Sequence, residues 1–386
     1  MNKTQKFTEK RLFLILFIGL FIILMLPLTF VGYFFLNAHS NIITFNEFVK
    51  LSEEITEDTD GINSFLQGVH GNVLFLSELS SLNDVINSDD EGLKGKYKTD
   101  LENDFLSFSN EKKIFHQIRY IDENGQEIVK IQSEKGTSEI IHDNFQNKKD
   151  RYYFTEAVNL ESGKIFISPL DLNVEYDEIE NRGTEENPAY VPVIRYATPV
   201  FDSKGNSKGI VIINIYAEYF LEHIHNEQQE GKLIFLLNNN GFYLSHPVFE
   251  KEFGFMFGNN ETIYNDYPIM ASNLLSNKEN EILKLGESLV AFRYIYPNKE
   301  ILEAGEQETQ VKQEIKSLST KGTIKNMESD KFWVLVSIES KEDVFSYSEK
   351  LKNEFLLIIL STMFIVGLAF GFFIILIFKR LRRSKK

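Results

Sequence analysis

The chain has 386 residues, more than one typical domain needs, and its 56 acidic against 41 basic residues give a formal net charge of −15. So acidic a surface repels phosphate backbones and argues against a nucleic-acid partner. Cysteine is absent, which excludes disulfides, thiolate zinc sites and cysteine nucleophiles and leaves stability to packed apolar cores.

Residues 1–11 include Lys3, Lys6, Lys10 and Arg11. Residues 12–36 then carry no charge and show no polar face, and at 1.5 Å per helical residue they can cross about 30 Å of hydrocarbon. Leu36 and Ala38 do not make the small-x-small pair of a signal peptidase site, so this stretch is read as an uncleaved anchor, transmembrane helix 1. A second uncharged stretch, residues 355–378, precedes a basic tail at 379–386. Basic clusters beside both spans put both termini in the cytoplasm and the middle of the chain outside. The acids agree, since only Glu9 of the 56 lies beyond that middle.

Residues 37–88 read as one long helix, on the order of 75 Å. Ile55, Ile62, Leu66, Val69, Val73, Leu76 and Leu79 form its apolar stripe. The stripe suits packing on the helix's own lobe or a contact shared by two copies, and Gly61, Gly68 and Gly71 weaken its middle. A loop at 88–97 and a short helix presenting Leu101, Phe105 and Phe108 come next. A hairpin follows, 115–121 with 127–131, turning at Asp122-Glu123-Asn124-Gly125.

Residues 171–192 are acidic and irregular. Asp171, Asn173, Glu175 and Asp177 alternate as calcium ligands would, but an EF-hand loop needs glycine where Tyr176 stands and glutamate where Arg182 stands. A solvated acidic loop without metal is expected. Two strands, 193–201 and 209–215, join through Asp202-Ser203-Lys204-Gly205-Asn206, with Pro199 marking an edge or a bulge, and a helix at 217–225 closes the unit.

The pattern then repeats. A hairpin, 233–237 with 242–245, turns at Asn238-Asn239-Asn240-Gly241, two strands lie between 281 and 296 around Gly286, and strand 333–338 leads into a helix. Residues 298–331 are polar and poor in large apolar side chains, which predicts a mobile insertion. The last exterior helix, 341–354, runs straight into the second span.

The order Arg151-Tyr152-Tyr153-Phe154, then Ser168-Pro169-Leu170-Asp171-Leu172-Asn173, then the strand 193–202 and, after a glycine turn, 209–214, resembles the double Cache sensor family. That family occurs in bacterial chemoreceptors, sensor histidine kinases and diguanylate cyclases, and the resemblance spans roughly residues 38–350. It implies an α+β fold of two PAS-like antiparallel-sheet lobes on a long N-terminal helix, flanked by two transmembrane helices. The implied divisions are a cytoplasmic N-terminus (1–11), transmembrane helix 1 (12–36), the long helix (37–88), a membrane-distal lobe (89–228) and a membrane-proximal lobe (229–340). A connecting helix (341–354), transmembrane helix 2 (355–378) and a basic cytoplasmic tail (379–386) complete it.

Arg151 is the first candidate for ligand contact, because a guanidinium matches a carboxylate in two parallel bonds. In amino-acid-binding members of the family an arginine followed two and three places later by aromatics grips the ligand carboxylate, and Arg151, Tyr153 and Phe154 match that spacing. Taken alone, Arg151 equally suits a surface pair with Asp150 or the acidic loop. Those members hold the ligand ammonium with an aspartate where Asn214 stands here. An amide cannot neutralise a buried cation, so the departure implies another carboxylate or a neutral polar ligand. Asp171 and Arg195 either line the pocket or pair with each other, and Ser168 and Tyr196 complete the candidate set.

Catalysis finds little support. Ser245 and His246 are neighbours, but adjacent strand residues point to opposite faces. His116, His142 and His223 lack metal-ligand spacing, and no phosphate-binding glycine loop or nucleophile elbow occurs. The expectation is therefore a two-pass receptor of the cell membrane, without enzyme activity, metal or cofactor. Its partners would be a small-molecule ligand, a second copy (the resemblance favours a homodimer) and a cytoplasmic signalling module in cis or in trans, since eight residues follow Phe378. Two alternatives stay open: a membrane-anchored extracytoplasmic enzyme, and a structural or adhesive protein whose distal lobe is filled.

Overall fold

A computed structural model describes residues 3–88, 90–134, 136–228, 231–276, 281–285, 288–297 and 332–383. The insertion expected at 298–331, and Gly286, lie outside the described residues. Two compact units divide the chain. One comprises Met1–Glu53, Lys284–Leu289 and Glu339–Lys386, the other Glu54–Leu283 and Val290–Ile338.

The first unit holds the start of helix α1 (Lys3–Ser77) and, from the far end of the chain, helix α9 (Lys341–Arg383). Each contains a stretch long and apolar enough to cross a membrane, Phe17–Ala38 and Lys350–Ile377. Large apolar side chains such as Phe30 and Phe364 stand exposed along them, as they do where the neighbour is lipid. Elsewhere rings close the two helices together, Phe17 on Phe370 at 5.1 Å and Phe35 on Phe355 at 6.2 Å.

In the second unit the stripe on α1 is consumed within the chain: Ile55, Ile62, Leu66, Val69, Val73 and Leu76 are all buried. The single helix expected to residue 88 is interrupted. It stops at Ser77, whose hydroxyl bonds back to Leu74 O, Leu79 turns extended, and α2 (Ser80–Asn87) follows, held by Ser81 Oγ donating to Asp104 Oδ2 at 2.6 Å. Serines that compete for backbone hydrogen bonds make such a break cheap. The loop expected at 88–97 is mostly helix, because Asp90 accepts from Gly92 N and starts α3 (Glu91–Lys112) three residues after α2 ends.

The distal sheet is antiparallel and seven-stranded. Its strands are β1 (Phe115–Ile121), β2 (Glu127–Glu134), β3 (Thr137–Ile141), β4 (Phe166–Ile167), β5 (Asp171–Leu172), β8 (Pro192–Phe201) and β9 (Ser207–Tyr216), in the order β3-β2-β1-β9-β8-β4 with β5 also on β8. Helix α4 (Tyr152–Ala157) precedes β4, and a separate ribbon, β6 (Val174–Glu175) with β7 (Glu178–Ile179), follows β5. Pro199 sits at a bulge of β8 against β9.

A second bulge, between Phe115 and Gln117, decides what each face carries. Phe115 packs on Phe108 of α3 and Tyr196 on His70 of α1, both at 5.5 Å between ring centroids, which makes one face an apolar layer under the helices. On the opposite face Ile121, Ala197, Ile210 and Ile212 join Tyr153, Phe154 and Ala157 of α4 in an apolar cluster. Beside that cluster the pairings Arg119↔Lys130, Gln117↔Asn214 and Arg195↔Asn214 set five polar side chains in one patch.

Helix α5 (Glu218–Asn226) leads to the proximal lobe, built from β10 (Lys232–Asn238), β11 (Tyr243–Ser245), α6 (Gly254–Phe257), α7 (Ile263–Asp266), α8 (Pro268–Ser276), β12 (Glu281–Leu285), β13 (Ser288–Ile295) and β14 (Trp333–Ser340). Its sheet runs β11-β10-β14-β13-β12. Phe220 of α5 stacks on Trp333 at 5.8 Å, and Tyr190 meets Phe257 of α6 at 4.9 Å. Strand β14 passes without a gap into α9.

Gly209 has φ +104°, and a Cβ there would stand 2.0 Å from Ile121 O, whereas Gly205, at φ +82°, has open space beside it. Gly209→Ala is expected to destabilise the protein by about 2 kcal/mol or more, and Gly205→Ala by about 1 kcal/mol, from the left-handed conformation alone. Urea unfolding of both variants in detergent micelles checks the difference.

Candidate ligand site

The polar patch on the distal sheet is not left to solvent. The segment before α4 and the β6–β7 ribbon fold over it, the ribbon turning through Tyr176 (φ +52°) and Asp177 (φ +64°), the two consecutive left-handed residues of a tight hairpin. Beneath them lies a cavity of about 70 Å³, lined by the guanidiniums of Arg119, Arg151 and Arg195, the carboxylates of Asp171 and Glu175, Asn173 and the two tyrosines 152 and 153.

Arg195 is buried, and its Nη1 donates to Asp171 Oδ1 at 2.5 Å and its Nη2 to Asn173 Oδ1 at 3.3 Å. Tyr152 OH donates to the other Asp171 oxygen at 3.1 Å. Arg119, on the neighbouring part of the patch, donates to Glu127 Oε1 at 3.2 Å and Asn214 Oδ1 at 2.9 Å, but its buried Nε has no partner. The Tyr153 ring serves both arginines, its centroid 5.8 Å from Arg119 Cζ and 5.6 Å from Arg195 Cζ.

Glu175 hangs from the ribbon into a basic cage. It accepts from Gln117 Nε2 at 2.5 Å and Gln146 Nε2 at 2.8 Å, with Lys130 Nζ at 3.5 Å and Lys148 Nζ at 3.8 Å. Burial alone would raise its pKa, but the charges of Arg119 and Lys130, the Gln117 bond and Lys148 outweigh burial and hold it at about 2. Burial and the Arg119 charge together bring Lys148 down to about 8. Glu180 is likewise held at about 2, bonds from His116, Asn173 and Arg182 overcoming the effect of burial.

At the rim Arg151 Nη2 donates to Asp177 Oδ1 at 2.9 Å. The Asp177 side chain is 91% exposed, so this pair contributes under about 1 kcal/mol.

Of the residues singled out in the sequence, Arg151, Tyr153, Asp171 and Arg195 come together around the cavity. Asp171 and Arg195, for which pairing and lining were alternatives, pair with each other and also border the cavity. Asn214 lies behind the cavity, its amide oxygen taken by Arg119. Ser168 stands beside it as a backbone partner, its Oγ accepting Arg195 N–H at 2.9 Å, and Phe154 belongs to the apolar cluster under α4. Tyr196 does not join them: next to Arg195 on β8 it points to the other face, where it packs on His70.

The acidic stretch is a solvated loop only in part: residues 181–190 are exposed, whereas Asn173 is buried and the Glu175 side chain is 17% exposed. Its alternate oxygens go to separate cations and amides, and among the described residues no group of three or more His, Asp or Glu is arranged for a metal. Arg119, Lys130, Lys148, Gln117 and Gln146 were not singled out. The signal available, for those in strands, was a charged or amide side chain set between apolar ones, as in Ile118-Arg119-Tyr120 and Val129-Lys130-Ile131. In the proximal lobe Ser245 Oγ is buried without a partner and His246 Nδ1 accepts Val248 N–H at 2.9 Å, so the two do not form a nucleophile and base pair.

A two-lobed, helix-backed antiparallel fold with a polar cavity in the first lobe defines a double Cache sensor domain. By fold the chain resembles a domain of a sensory box/GGDEF family protein from Vibrio parahaemolyticus, with TM-score 0.60 and 19% identity over 78% of this chain and 99% of that one. It also resembles the extracellular domain of vpHK1S-Z8, assigned as a histidine kinase, with TM-score 0.60 and 18% identity over 80% and 96%. The ligand-binding domain of the Campylobacter jejuni chemoreceptor Tlp3, solved with 4-methylisoleucine, matches at TM-score 0.50 and 12% identity over 78% and 94%. No curated protein matches by sequence. The family model for the sensor domain of bacterial histidine kinases matches residues 64–295, and the chain belongs to that family. Two apolar helices flank this periplasmic type of sensor domain, consistent with a two-pass membrane protein.

Because Glu175 and Glu180 are both held at about 2, their stabilising contribution is complete above the ordinary glutamate range near 4.5 and is lost as pH falls from there through 2. Thermal melts across pH 2–7 are expected to show Glu175→Gln with a flatter acid limb than the wild type.

Proposed function

We propose that the chain is the sensing part of a membrane receptor, binding a small carboxylate in the distal lobe and passing the event to transmembrane helix 2. The observation that carries this reading is the gathering of donors at the cavity: Arg119, Arg151 and Arg195 line it, each with a carboxylate on one side, and Arg119 Nε is buried without a partner. A buried donor left without an acceptor costs about 1–3 kcal/mol, which an incoming oxygen would recover. A carboxylate does so with forked, charge-assisted bonds. Tlp3 was solved with an amino acid, but here Asn214 offers no charge for an ammonium and Asp171 is committed to Arg195.

Arg151 is the gatekeeping contact in this reading, with Tyr153, Asp171 and Arg195 beside it. Phe154, Ser168 and Asn214 support the site from behind. The route onward is covalent, β14 running directly into α9. A ligand biases such an element only by the difference in its affinity for the two states. The receptor would have cytoplasmic ends and an extracytoplasmic middle, and would act on an output module in cis or in trans. A second copy would use the outward face of α1, the inward stripe being already covered.

Two measurements test this. A thermal-shift screen of the full chain in micelles against carboxylates, amines and amino acids is expected to give carboxylate hits, each weakened at least about tenfold by Arg151→Ala, which removes charge-assisted bonds. Full retention of every response by that variant removes Arg151 as the anchor. The cysteine-free chain also suits single reporters: in intact cells a membrane-impermeant maleimide should label Ser203→Cys and spare Ser384→Cys, and the reverse pattern overturns the topology.

A further inference from the structure

The ligand reading leaves one feature unused: the best-coordinated anion position in the distal lobe is already filled, and by the protein itself. Two side-chain amides and two ammonium groups converge on the Glu175 carboxylate, with the Arg119 guanidinium beside them. The other carboxylate lining the cavity, Asp171, belongs to β5, which is paired with β8 of the main sheet. Glu175 belongs to the β6–β7 ribbon, whose two strands pair with each other and with no strand of the main sheet.

The ribbon is tied at its base by Asn173 N to Val191 O at 2.7 Å and Glu180 N to Asn173 O at 2.8 Å. Beyond the base, what holds its tip down is the Glu175 cage and the exposed Arg151–Asp177 pair. Glu175 is itself part of the wall of the remaining cavity of about 70 Å³. A carboxylate that is to reach the four donors gathered on Glu175 has to compete with Glu175 for them.

We propose that Glu175 is an internal stand-in for the ligand's carboxylate, and that a small carboxylate binds by taking its place in the cage of Gln117, Lys130, Gln146 and Lys148 while the β6–β7 ribbon swings out. This rests on reading the cavity as a ligand site. The exchange swaps one carboxylate for another, so the buried cations are never left bare, and neutral or cationic solutes gain no entry because they cannot replace the charge. The closed ribbon taxes affinity by the fraction of molecules in which Glu175 is out, and it links occupancy to movement of a defined segment.

The test titrates acetate and succinate into the full chain in detergent micelles, for the wild type, Glu175→Gln, Glu175→Ala and Asp177→Asn. Removing the competitor should tighten succinate binding at least about tenfold in both Glu175 variants, as for a closed state favoured ten to one, with a smaller gain for Asp177→Asn. Acetate should raise the melting temperature of Glu175→Ala and leave that of the wild type nearly unchanged. Hydrogen exchange of residues 174–179 in the wild type should speed up on adding succinate.

If Glu175→Gln binds succinate more weakly, or equally while the wild type binds it through Arg151, Glu175 is a ligand contact or a structural residue and the exchange is wrong although the site stands. If neither the wild type nor Glu175→Ala responds to either acid or to any carboxylate of the screen, the site reading fails and takes this inference with it. Glu175→Gln preserves side-chain shape, so a folding defect confined to Glu175→Ala still leaves the affinity comparison decisive.

Discussion

Two guanidiniums buried on one face of a sheet set the terms for the whole distal lobe. Arg119 and Arg195 are 2% and 4% exposed, and neither can shed its proton to escape the cost of burial. Each must therefore be surrounded by oxygen, and the lobe supplies it from four places: β2 with Glu127, β5 with Asp171, the following turn with Asn173, and β9 with Asn214. The irregular chain between β3 and β8 is the scaffold that carries part of this shell. Its folding and its electrostatics are one problem.

The same constraint explains the division of labour between the faces of the sheet. The helix-covered face is apolar and closed, with Tyr196 and Phe115 locked against α1 and α3. The other face is apolar only under α4 and ionic beside it. A buried ionic patch is poor value as a source of stability, since apolar side chains of similar volume would serve as well or better. Its presence next to a cavity is what the proposed anionic ligand would account for.

Much of this was legible in the sequence wherever the cause is local. The uncharged stretches, the Asn-Gly turn at 124–125 and the β-branched runs of β8 and β9 rest on length, turn chemistry and period, and the double Cache fold follows from their order. The candidate site was half legible. Arg151, Tyr153, Asp171 and Arg195 stood out by residue type, but Tyr196 was grouped with Arg195 although strand alternation separates them.

Arg119 and Lys130 were invisible for a different reason, and Glu175 stood out only as one of four alternating oxygen ligands. A charge at alternate strand positions reads as a solvent face until something is known to lie over it, and the cover here has no periodicity of its own. The breaks at Ser77 and Asp90 likewise depend on hydrogen bonds made after collapse, which no window of sequence contains.

The contact of Tyr190 with Phe257 has a mechanical corollary. Tyr190 ends the same segment that carries the β6–β7 ribbon, and its ring rests on α6 of the proximal lobe, 4.9 Å from that of Phe257. The segment that covers the cavity thus keeps a foot on the lower compartment, apart from the backbone path through α5. A shift at the root of that segment would bear on the lower compartment sideways through this aromatic contact, in addition to the path along the backbone.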